Sequence, residues 1–174
     1  MKIVMIYDQI QAGMGTKDNA DLPLGGTTNV IGPAIMMAPY LKEVNGTIVA
    51  CMYVGSEYYK EHKQIVHQKI FAMLKKISPD VILCGPALDN LKYGELCATI
   101  ALAIQTNTKI PVCAMMAKQN IDTISTYQAK LPIIKMPAKG EIGLNDALHG
   151  ACLLLQAYDT KQHIQELKQK YCYQ

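Results

Sequence analysis

The strongest constraint on the fold is an alternation of short, nearly continuous apolar runs with longer segments of helical period. The apolar runs are Lys2–Tyr7 (KIVMIY), Thr47–Tyr53 (TIVACMY), Val81–Cys84 (VILC), Ile110–Met115 (IPVCAM) and Leu131–Met136 (LPIIKM). They do not alternate strictly between apolar and polar, which predicts strands covered on both faces, as in parallel sheets. Between them, Pro33–Val44 presents Ile35, Met36, Pro39 and Tyr40 as one face. Glu57–Ile77 turns Ile65, Ile70, Phe71, Leu74 and Ile77 inward, with Ser78-Pro79 as its stop. Tyr93–Thr106 carries Leu96, Ile100 and Ile104 at helical spacing, and Ala147–Tyr171 is one helix, or two broken near Asp159-Thr160. Such an order implies right-handed βαβ crossovers. The expected fold is an α/β three-layer sandwich with a mostly parallel sheet of four or five strands, flavodoxin-like or Rossmann-like. With no linker or repeat in 174 residues, a single domain over 1–174 is expected.

Half of the residues are hydrophobic, so a normal core is available. Ten Tyr and ten Met accompany one Phe and no Trp, which predicts an aliphatic and thioether core with tyrosines at its edges. The net charge is only +3, and every basic residue is lysine. Without arginine the chain lacks the planar fork that reads phosphates and guanine edges, and its lysines are scattered; nucleic-acid binding is not expected. The six cysteines form no CxxC pair, and Cys51, Cys84 and Cys113 lie inside apolar runs. They read as reduced core residues of a cytoplasmic protein. No apolar stretch has the length of a membrane span, and the apolar run at the N-terminus is too short for a signal peptide.

In open parallel sheets, ligands bind beyond the carboxyl ends of the strands, near the point where the winding reverses. That rule selects Asp8–Val30, Gly55–Glu57, Gly85–Gly94 and Met116–Asn120. The first is a long segment without regular pattern, which inside a compact domain is usually functional. Its Gly13-x-Gly15 is half of a dinucleotide fingerprint, but no third glycine opens a helix there, and no GxxxxGK[ST] loop occurs. Turn-forming glycines on a surface loop are the plain alternative. In the third segment, CGPALDNLKYGELC, Cys97 falls near a helix start, where the helix dipole lowers a thiol pKa. Cys97 is therefore the candidate reactive thiol, with packing of the helix on the sheet as the alternative. His62, His67, His149 and His163 lack metal-ligand spacing, so no metal site is expected. Asp8 and Asp21 are candidates to orient an amine or hydroxyl, with turn capping as their alternative, and Tyr58-Tyr59 to line a pocket rim.

These loops resemble the opening of component B of the glycine/sarcosine/betaine reductases. YDQIQAGMGTKDNADLP followed by VIGPA matches the family pattern at Tyr7, Gln9, Ala12, Gly13, Gly15, Ala20, Asp21, Pro23, Gly32 and Pro33. Asp8 stands where the family usually has Asn. Further matches are Gly55, Pro79-Asp80, Gly85-Pro86-Ala87, Asn90, Tyr93-Gly94, Cys97 and Ile110-Pro111, so the similarity runs from Met1 to about Met116. The resemblance implies a pocket built by Asp8, Gln9, Gly13, Gly15, Asp21, Gly32, Gly55, Gly85, Pro86, Asn90, Tyr93 and Gly94. Helix starts after Gly32 and Tyr93, with Lys92, would hold a small amino-acid-like or carboxylate ligand.

The family's reductase subunit is much longer, and its redox centre is a selenocysteine followed closely by cysteine in the later half. No cysteine pair here has that spacing. The chain is thus expected to be a short stand-alone form of the N-terminal part, and two readings stay open. One is an oxidoreductase subunit acting on amino-acid C–N bonds, with Cys97 at the pocket and a partner chain supplying the redox group. The other is a non-catalytic binding or assembly protein that kept the fold. A flavodoxin-like flavin protein fits the fold class but lacks a Ser/Thr-rich phosphate loop after the first strand; no cofactor is assigned. Homo-oligomerisation is compatible with the sheet edge and apolar helix faces.

Overall fold

The computed structural model describes residues 1–174. The chain runs β1 (Lys2–Asp8), β2 (Gly25–Thr27), α1 (Ala34–Glu43), β3 (Thr47–Val54), α2 (Ser56–Glu61) and α3 (Lys63–Ile77). It continues through β4 (Val81–Ala87), α4 (Leu91–Asn107), β5 (Val112–Ala117) and α5 (Ile121–Tyr127). It ends with β6 (Ile133–Met136), α6 (Leu144–Thr160) and α7 (Ile164–Tyr171). The sheet order is β2-β3-β1-β4-β5-β6, in which β2 alone is antiparallel.

The strands are apolar on both faces because helices cover both. Along β1, Val4 and Ile6 enter one core with Val66, Ile70 and Leu74 of α3, Leu96 and Ile100 of α4, and Ile124 of α5. Ile3, Met5 and Tyr7 enter the other, with Met37 and Leu41 of α1 and Leu148, Cys152 and Leu155 of α6. The result is the three-layer α/β sandwich expected from the sequence. The chain first winds from β1 outward to β3 with α1 on one face. It then returns past β1 to β4, β5 and β6 with α3, α4 and α5 on the opposite face. Counted among themselves the parallel strands run 2-1-3-4-5, which sets the reversal of winding between β1 and β4.

Several local expectations change. A sixth strand, β2, lies within the long loop after β1, paired from Gly25 to Tyr53 and from Thr27 to Cys51. In α1 the buried residues are Ala34, Met37 and Leu41, while Ile35 is 60% and Met36 48% exposed. The segment AIMMAPYL is apolar all round, so it carries no phase from which a buried face can be read. In α3, Val66 is buried and Ile65 faces out. The stretch from Glu57 divides into α2 and α3 at His62, and α5, only lightly apolar, follows β5. The C-terminal segment is two helices, separated at Lys161 and His163, both in the left-handed region.

A cleft at the switch between β1 and β4

Directly beyond the carboxyl ends of β1 and β4 lies a cleft of about 270 Å³. Gln9 and Ile10 enter it from the end of β1, and Asp89, Asn90, Leu91 and Lys92 from the turn that opens α4. Ser56 closes it from α2, and Lys17 and Ala20 from the long loop.

Its floor is a set of buried polar side chains hydrogen-bonded to one another and to the backbone. Asp8 is 1% exposed; one carboxylate oxygen accepts the Gln11 amide at 2.7 Å and the other accepts Nδ2 of Asn90 at 3.1 Å. Burial raises its pKa, against the lowering effect of the Gln11 and Ile10 amides and of Asn90. Asn90 is also the N-cap of α4, its Oδ1 accepting the Tyr93 amide at 3.4 Å. One side chain thus ties the first strand to the fourth helix. Gln9, equally buried, accepts the Ser56 amide at 3.2 Å and donates to the Thr16 carbonyl at 3.2 Å. It joins the end of β1 to the start of α2 and to the long loop.

The long loop is held down over α2. The Gly55 amide donates to the Leu22 carbonyl at 2.8 Å, and those of Glu57 and Tyr58 to Ala20 at 3.1 and 3.3 Å. Gly55 permits this approach, because a Cβ there would meet the Ala20 carbonyl and the Leu22 nitrogen. The two long helices at this end of the sheet differ in their free amides. The first amides of α1 are consumed: Ala34 donates to the Tyr7 hydroxyl at 3.1 Å, and Ile35 and Met36 bond Gly32 and Pro33. Those of Leu91 and Lys92, which open α4, have no partner within the protein, and both residues line the cleft.

Of the residues singled out from the sequence, Gln9 and Asn90 line the cleft and Asp8 supports it from below. The rest lie elsewhere. Gly13 sits in a turn of the long loop, Gly15 packs against the Asn19 carbonyl and the Gln9 side chain, and Asp21 lies on the loop's exposed side. Gly32, at φ +56°, packs against the Gln11 carbonyl before α1, so the start of α1 offers no carboxylate site. Gly85 and Pro86, joined by a cis peptide, lie within β4 against the Met115 carbonyl. Tyr93 is buried, its hydroxyl 3.5 Å from the Ile6 carbonyl. Gly94 makes room for Asn120, whose Nδ2 donates to Ala87, Leu88 and Ala117 and whose Oδ1 is unpartnered.

Cys97 is fully buried, and burial holds its thiol well above the usual range. The lowered pKa expected from the helix start is absent: a dipole effect of about 1 kcal/mol does not offset loss of solvent around a thiolate. The other five cysteines are free and buried too. Each histidine is engaged: His62 stacks on Tyr58, His67 bonds the Tyr59 hydroxyl at 2.7 Å, His149 pairs with Glu43 and His163 with Glu166. Ser56, Asp89, Lys17 and Ala20 were missed as cleft residues. All four fall inside the loops that the strand-end rule selects, but nothing in the sequence marks which residues of the long Asp8–Val30 segment, Lys17 and Ala20 among them, reach the cleft.

Fold and cleft together define a doubly wound α/β architecture with a polar cleft at its switch point. The chain belongs to the glycine/sarcosine/betaine reductase selenoprotein B family, whose model matches residues 1–174. The β subunit of sarcosine reductase complex component B from Peptoclostridium acidaminophilum is 28% identical over 135 residues, covering 78% of this chain and 30% of that protein. The γ subunit of glycine reductase complex component B from Carboxydothermus hydrogenoformans is 27% identical over 150 residues, covering 84% and 33%. The β subunit of betaine reductase complex component B from P. acidaminophilum is 26% identical over 121 residues, covering 68% and 27%. The chain thus spans about a third of the length of the curated relatives it matches. No solved structure matches it. No helix is long and apolar enough to cross a membrane.

Proposed function

We propose that the cleft binds a small carboxylate or amino-acid-like molecule, and that the chain serves as a cytoplasmic subunit of a reductase whose redox group is supplied by a partner chain. The observation that carries this reading is the pair of unpartnered amides at Leu91 and Lys92, two residues that line a cleft whose Gln9 and Asn90 side chains are already hydrogen-bonded within the protein. Backbone amides at a helix start, with a lysine beside them, suit a carboxylate. The relatives' names, as subunits of glycine, sarcosine and betaine reductase complexes, support a ligand of that size and a partnered assembly. Burial of all six thiols favours the second reading, binding without turnover by this chain alone. Titration of the 15N-labelled protein with glycine, sarcosine, betaine and acetate tests the site. The expected result is saturable shifts centred on Gln9, Ser56 and Asn90–Lys92; shifts absent there, or spread over the surface, sink the proposal. Gel filtration and light scattering check whether the chain self-associates.

A further inference from the structure

Beside the cleft lies a second cavity of about 460 Å³, bordered by Tyr59, Lys60, Lys63 and Glu95. The two cavities share Ser56, Leu91 and Lys92 as their common wall, and Lys92 is the one charged residue of the three. Its ammonium is bonded to Glu57 at 2.5 Å. Glu57 borders the second cavity and not the cleft, so the ion pair draws the lysine away from the place where a ligand would lie. Lys92 lowers the Glu57 carboxyl pKa, first through the hydrogen bond and then through its charge. Both partners are more than a third exposed, and such pairs exchange readily.

The other charges of the cleft are placed differently. Asp8 is closed off by Gln11 and Asn90, and Asp89 faces Lys139 at 3.5 Å. Lys17 reaches the cleft from an exposed turn of the long loop. Lys92 combines an exposed ammonium with a free backbone amide in the first turn of α4, and its present partner is itself a carboxylate.

Resting on the binding reading above, we propose that Lys92 is the residue by which this site selects carboxylates, and that Glu57 is a built-in competitor that holds Lys92 until a ligand carboxylate replaces it. Binding is then an exchange of one carboxylate for another on the same ammonium. Glu57 sets the affinity, and the swing of Lys92 opens the wall toward the second cavity.

The test uses the full chain, acetate as the carboxylate probe and acetamide as its uncharged counterpart. Affinities are measured by NMR titration for the wild type, Glu57→Gln, Lys92→Gln and the double variant, after equal thermal midpoints show that all four are folded. Removing the competitor is expected to tighten acetate binding roughly two- to fivefold, the range of an exposed ion pair, without changing acetamide. Lys92→Gln is expected to weaken acetate about tenfold or more, as loss of a charge-assisted hydrogen bond does. In the double variant the gain from Glu57→Gln should vanish, because Glu57 acts only through Lys92. If wild type binds acetate at the cleft but Glu57→Gln leaves affinity unchanged or weakened, the exchange is overturned while the binding site stands. Equal affinity in Lys92→Gln has the same consequence. If neither wild type nor Glu57→Gln binds acetate, the binding reading falls and this proposal with it.

Discussion

Asn90→Ala reports directly on how the cleft is held together. The side chain makes two bonds of different kinds: its Oδ1 caps α4 through the Tyr93 amide at 3.4 Å, and its Nδ2 donates to the buried Asp8 carboxylate at 3.1 Å. Loss of a helix cap costs about 1 kcal/mol, and this one is long, so the lower half of the usual range applies. A hydrogen bond to an ionised group is worth about 1.5–3 kcal/mol, and here its loss leaves a carboxylate oxygen without that donor. The expected cost near neutral pH is about 2–3 kcal/mol, or roughly 5–10 °C in Tm for a chain of this size.

The two parts separate by pH. Asp8 has a raised folded pKa, so its contribution to stability is greatest below its unfolded pKa and is lost as pH rises through the folded pKa. Asn90 opposes that rise, and its removal pushes the carboxyl further up. The deficit of Asn90→Ala should therefore be largest near neutral pH and shrink toward the capping part as pH falls below the raised folded pKa of Asp8, where the carboxyl has taken up its proton. Asn90→Ser keeps a capping oxygen but withdraws the donor, so it should recover only the pH-independent part. Urea unfolding of the three proteins at several pH values measures both. A deficit under about 0.5 kcal/mol, or one that does not change with pH, would refute the assignment of Asn90 as the tie between Asp8 and α4.

Three further outcomes follow from the packing. Gly55→Ala places a methyl on the Ala20 carbonyl and the Leu22 nitrogen. The long loop must then lift off α2, at about 2–4 kcal/mol for the three amide bonds it stretches, with faster hydrogen exchange at Gly55 and Glu57; native-like exchange there would count against the tether. Gly13→Ala, at φ +70° with open space around the added carbon, should cost only about 1 kcal/mol. With an aromatic disulfide reagent, the native protein should show no fast thiol, and the unfolded protein all six. A single rapid reaction at Cys97 would restore the reactive-thiol reading that its burial opposes.

The sheet was legible because its strands need only local composition: a run such as VILC can be covered on both faces in few other ways. β2 was not, since Gly-Gly-Thr has little strand preference and forms only against β3. The cleft was legible to the extent that it follows the ends of strands. Gln9 and Asn90 come one and three residues after β1 and β4 and were both selected. Ser56 also follows a strand end, two residues after β3, whereas Lys17 reaches the cleft only through the path of the long loop, which no local pattern carries. The glycines matched the family pattern, yet Gly32, Gly55 and Gly94 serve close approach within the protein, so a family glycine marks a backbone constraint before it marks a ligand. Cys97 is the sharpest case, because the sequence held both arguments. Its place in the second turn of α4 suggests a lowered pKa. The spacing of Tyr93, Leu96, Cys97, Ile100 and Ile104 puts it on the apolar stripe that meets the sheet. When the two conflict, the stripe decides: burial moves a thiol pKa by several units and a helix dipole by less than about one.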